Sequence, residues 1–145
     1  MGAEMKDFIQ DKTEKWAVRT MREFTSSLCL FYCYLYCAGT EFKDEKDAFD
    51  TAERMRLQGV LDDDGTVLDG PRLLEIFTGR KWKVEKKAVD ERAVNELTVT
   101  TPVRFDYNGK SHWVVMSHGD IVFDPIENSQ CVKYGKPASA RLLSW

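Results

Sequence analysis

The chain has 145 residues, 43% of them hydrophobic and 12% aromatic, which is apolar mass for one core and the size of a single domain spanning 1–145. Its charged residues, 31% of the total, are mixed in sign and sum to −3, which excludes the basic field that attracts a nucleic acid backbone. The start Met1-Gly2-Ala3-Glu4-Met5-Lys6-Asp7 is charged, unlike a secretory leader. Lys6 also stands where a myristoylation pattern needs Ser or Thr, and the longest apolar run, Leu28 to Ala38, is too short to span a bilayer, so a cytoplasmic protein with no membrane partner is expected.

In chain order, Met5, Phe8, Ile9, Trp16, Ala17, Met21 and Phe24 recur at approximately helical spacing and predict a first helix over residues 4 to about 23. Thr25-Ser26-Ser27 then offers three capping residues for a second helix, Leu28 to Ala38, with Gly39 as its terminator. That helix is apolar nearly all round, which predicts a buried central element. Asp44 to Leu57 is amphipathic, with Ala48, Phe49, Ala52, Met55 and Leu57 on the apolar side and Gly59 ending it, and predicts a third helix. Asp62-Asp63-Asp64-Gly65 reads as a loop, and Leu73, Leu74, Ile76 and Phe77 after Pro71 as a short helix stopped by Gly79.

From Trp82 onward β-branched and aromatic residues alternate with turn signals. Strands are predicted at Trp82–Glu85, Leu97–Thr100, Val103–Tyr107, His112–Met116 and Ile121–Phe123, with Asn108-Gly109 as a hairpin turn. The fold class is therefore α+β, helices first and an antiparallel sheet second.

Chemistry concentrates in three residues. Cys29 opens the apolar helix, where unpaired backbone N–H groups and the positive end of the helix dipole favour a thiolate; Cys33 and Cys37 lie one and two turns deeper and read as inert core. His112 and Asp124 lie on two adjacent predicted strands. If Ser117-His118-Gly119 is a three-residue loop, Met116 faces Asp120 and His112 faces Asp124 on one side of the sheet, about 4.5–5.5 Å apart at Cβ. A two-residue loop would shift the register by one and send Asp124 to the opposite face. His118, the rival base, falls in a turn beside Gly119, and Asp124 before Pro125 also suits a simple turn or cap.

Three of the four cysteines are packed into one segment, unlike a secreted disulfide framework, so reduced thiols are expected. Their four-residue helical interval lacks zinc-site spacing, and the Asp62–Gly65 loop has Val60 where a calcium loop needs its first ligand; no metal or cofactor is expected.

The cysteine opening an apolar helix, the strand His112-Trp113-Val114-Val115 and the pair Asp124-Pro125 resemble the papain-like cysteine peptidases, nearest to the compact bacterial branch that cleaves double-glycine leader peptides. The resemblance covers 28–38 and 111–126. It implies a papain-like fold, with a buried central helix packed on a C-terminal antiparallel sheet. It further implies a cysteine peptidase or related thiol hydrolase acting on a peptide or protein through an acyl thioester, with Cys29 as nucleophile, His112 as base and Asp124 as orienting carboxylate. A catalytically weak relative that binds peptides is the alternative. That branch usually has a glycine after the cysteine, where this chain has Leu30, and an oxyanion-donating glutamine six residues before it, where this chain has Glu23. An ionised Glu cannot donate, which leaves the Cys29 N–H and a second donor among Arg22, Thr25, Ser26 and Ser27. Trp113, next to the base, is a candidate for lining the substrate cleft.

Overall fold

The computed structural model describes residues 3–4, 28–126 and 129–145. The helix expected over 4–23 falls outside these residues apart from Glu4, which belongs to a two-residue strand, β1 (Ala3–Glu4), paired with β2 (Glu41–Phe42).

The central helix forms as expected: α1 runs Cys29–Cys37 and buries Phe31, Tyr32, Cys33, Tyr34 and Leu35. It ends where Gly39 takes a positive φ of 74° and its N–H reaches Tyr36 O at 3.1 Å. The expected caps Thr25, Ser26 and Ser27 lie outside the described residues; Leu28 precedes α1 and supplies no side-chain cap. Three further helices share one device at their starts, an aspartate accepting a backbone N–H three residues on. Asp44 caps α2 (Glu45–Leu57), Asp69 caps α3 (Gly70–Thr78), and Asp90 caps α4 (Glu91–Asn95). Ala48, Ala52 and Met55 of α2 are buried, but Leu57, expected on the same face, is 71% exposed at the last position of that helix.

The sheet has five antiparallel strands in the order β3-β7-β4-β5-β6. They are β3 (Lys83–Ala88), β4 (Thr101–Tyr107), β5 (Lys110–Ser117), β6 (Asp120–Phe123) and β7 (Lys136–Ser144), with a short α5 (Gln130–Tyr134) before the last. The β4–β5 turn is the two-residue Asn108-Gly109 loop, both residues at positive φ. Leu97–Thr100 does not form the expected strand. It follows α4; Leu97 O accepts the His118 N–H at 2.7 Å, and Thr100 O accepts from the Cys37 thiol at 3.8 Å.

Two cores lie on the two faces of the sheet. On one, α1 packs with Trp113, Val115 and Phe123; on the other, Val103, Phe105, Val114, Met116 and Ala140 pack with Val94 and Cys131. The α+β class is thus helices packed on an antiparallel sheet. Among the described residues, no helix is long and apolar enough to cross a membrane.

Candidate active site

The second hairpin corrects one expectation. Its loop has two residues, His118 and Gly119, both at positive φ, with Ser117 paired to Asp120 and Met116 to Ile121. Continued unbroken, that register would put Asp124 on the wrong face. Instead the register shifts between Val115 and Met116, so that Val115 opposes Phe123 and β6 carries one extra residue. Asp124, one residue beyond Phe123, and His112, three before Val115, therefore share one face. A tight turn plus a bulge reaches the face that a three-residue loop would have reached.

The result is a short contact. His112 Nε2 lies 2.7 Å from Asp124 Oδ1, with side-chain exposures of 4% and 16%. The same oxygen accepts the Ile126 N–H at 3.0 Å, an Asx turn across Pro125 that holds the carboxylate in place. Asp124 directly follows the end of β6, which is fixed in turn by Phe123, whose ring stacks on Tyr36 of α1 with centroids 4.7 Å apart.

The Cys29 side chain also acts on the His112 ring, raising its pKa by hydrogen bonding and by its charge. With Nε2 on Asp124, Nδ1 is the nitrogen left for the thiol. Burial by itself pushes His112 down, but the hydrogen bonds to Asp124 and Cys29 and their charges outweigh it and raise the imidazole from 6.5 to about 9. His112 therefore holds its proton at neutral pH beside the Cys29 side chain.

The other cysteines differ in the way their depth in the helix suggested. Cys33 is fully buried, and burial, reinforced by the charges of Cys29, Cys37 and Asp124, holds its thiol well above the usual range. Burial pushes Cys37 up to about 12 against the pull of its hydrogen bond to Thr100. Cys29 alone combines the first position of α1, partial exposure and a basic partner. Cys131 is buried in the second core.

Three of the expected site residues, Cys29, His112 and Asp124, come together. Glu23 and Ser27, with Arg22, Thr25 and Ser26, lie outside the described residues. Trp113 is 8% exposed and packs in the α1 core, with the Arg141 guanidinium 4.7 Å from its ring centre. Leu30, next to Cys29, is partly buried against the same core. His118 is exposed, and its ring pairs with the neighbouring Ser117 hydroxyl at 2.9 Å. One contributor is invisible in the sequence: the Ile126 N–H, which has no side-chain signature. Among the described residues, no group of three His, Cys, Asp or Glu is arranged to hold a metal ion. No family model, curated protein or solved structure matches this chain.

Proposed function

We propose that this chain is a papain-like cysteine peptidase or related thiol amide hydrolase acting on a peptide or protein substrate. The observation that carries the reading is the His112 imidazole held between two partners, Asp124 at 2.7 Å and the Cys29 side chain. In this reading the Cys29 sulfur attacks the substrate carbonyl, and His112, protonated at rest, gives a proton to the departing amine as the C–N bond breaks. The thioester is then opened by water, which passes a proton back to the imidazole while the thiolate leaves. Asp124 keeps Nε2 protonated and the ring aimed, so that Nδ1 faces the reacting atoms.

The second reading, a catalytically weak or inactive fold that binds peptides, is motivated by Glu23 and Leu30, which depart from the leader-peptidase pattern at the oxyanion donor and beside the nucleophile. One experiment ranks the two. Limited iodoacetamide at neutral pH, with labelled sites mapped by mass spectrometry, should modify Cys29 well before Cys33, Cys37 and Cys131. A fluorogenic peptide mixture should then be cleaved by the wild type and not by Cys29→Ala. Selective labelling without cleavage favours the binding module, and equal slow labelling of all four thiols ends the hydrolase reading.

A further inference from the structure

Arg141 extends from β7 across the face of the sheet that α1 covers. Its guanidinium lies over the Trp113 ring, its Nη1 donates to Ser139 Oγ at 3.0 Å, and it hydrogen-bonds the Tyr34 hydroxyl of α1. None of these partners is negative. Burial holds the Tyr34 hydroxyl up at about 12 although Arg141 pulls it down, so the phenol stays neutral at physiological pH.

Two further cations flank Arg141. Lys86 is its cross-strand partner on β3, and Arg104 opposes Ser139, which puts Arg104 on the same face. Arg104 is already matched, its Nε and Nη2 donating to the two oxygens of Asp106 at 2.9 and 3.2 Å. Among the described residues, Arg141 has no carboxylate partner. A partly buried cation held only by neutral groups and flanked by other cations is an arrangement that a planar carboxylate completes, because guanidinium and carboxylate match in a two-bond fork.

Its position ties it to the proposed site. Trp113, beneath the guanidinium, directly follows His112 on β5, and Tyr34 lies five residues along α1 from Cys29. The cation therefore stands between the helix that carries the thiol and the strand that carries the base. We infer that Arg141, supported by Arg104, forms an anion subsite of the proposed hydrolase and takes a carboxylate of the peptide substrate. This rests on the hydrolase reading.

The carboxylate can come from an acidic side chain or from a peptide C-terminus, and three iodoacetyl-capped dipeptides distinguish them: one neutral and amidated, one identical but with a free C-terminal carboxylate, and one amidated with a glutamate. One acidic probe should label Cys29 about fivefold faster than the neutral one, near the upper limit for an exposed ion pair. That probe names the source. Arg141→Gln should bring the ratio of acidic to neutral labelling rates to within about twofold, and Arg141→Lys should restore part of it. Should Arg141→Gln fail to fold, Arg104→Gln reads the same advantage and should reduce it. Equal rates for all three probes on the wild type, or an advantage that survives both Gln variants, overturns the subsite. Failure of the hydrolase reading looks different: the neutral probe then labels Cys29 no faster than Cys33.

Discussion

His112 Nε2 and Asp124 Oδ1 lie 2.7 Å apart, and that oxygen also closes the turn across Pro125 by accepting the Ile126 N–H. Turn closure and ring orientation, which compete as explanations of an Asp-Pro pair, are here performed by one carboxylate. Strain on the turn therefore reaches the imidazole directly, and through it the Cys29 thiol.

Asp124→Ala removes both functions. Its loss leaves the buried His112 and the Ile126 N–H short of a partner, which should cost about 1–3 kcal/mol in chemical denaturation. The rate of Cys29 alkylation, and of any hydrolysis, should fall by about 10²-fold, at the low end of what a positioned acid–base contributes. Unchanged alkylation in a folded Asp124→Ala protein would show that the carboxylate does not set the ring.

The raised His112 value fixes the direction of the pH dependence. A group whose folded-state value lies above its ordinary 6.5 contributes stability that is complete below that pH and is lost as pH rises through about 9. The difference in Tm between wild type and Asp124→Asn should thus be largest near pH 6 and close above about pH 9. The ratio of iodoacetate to iodoacetamide labelling at Cys29 should fall as pH rises through the same window, because the imidazolium that attracts the anion is lost. A thiol with no imidazolium beside it would keep that ratio constant.

The bulge makes a prediction about chain length. Val122 is the residue that β6 carries in excess between Ile121 paired to Met116 and Phe123 paired to Val115. Deleting it should give a regular strand with Asp124 still beside His112 and Cys29 labelling within about threefold of wild type. Inserting one alanine between Phe123 and Asp124 should instead turn the carboxylate to the other face and match the Asp124→Ala phenotype. The two rates, measured side by side, decide the register; a deletion as damaging as the insertion would contradict it.

Phe123 links core to site. It is 1% exposed and stacked on Tyr36, so Phe123→Ala should destabilise the protein by about 3–5 kcal/mol in urea unfolding. Below the unfolding transition the variant should also lose Cys29 selectivity, since β6 is no longer held against α1. Loss of stability with full selectivity would separate the two roles.

Much of the local structure was legible in the residues. The uninterrupted apolar run from Leu28 with Gly39 behind it marks a buried helix, because such a surface has no stable place in water. Asn108-Gly109 marks its turn because both positions need a positive φ. Elements with weaker signals were missed. β7 has two Ala and two Ser among its nine residues and contains Pro137, yet it lies inside the sheet between β3 and β4, with a register irregularity between Arg104 and Phe105 where Pro137 pairs. Leu97–Thr100 has strand-like residues and no strand neighbour, because β propensity takes effect only where a partner edge is available.

By itself the sequence determined the class of fold, the thiol at the head of an apolar helix, and the histidine and aspartate on consecutive strands, since these follow from side-chain type and short-range spacing. Only the tertiary structure decided that His112 and Asp124 share a face, because a single extra residue in β6 reverses the parity that the turn alone would impose. It also decided that Arg141 stands over Trp113, because that contact joins distant strands whose pairing no local pattern encodes.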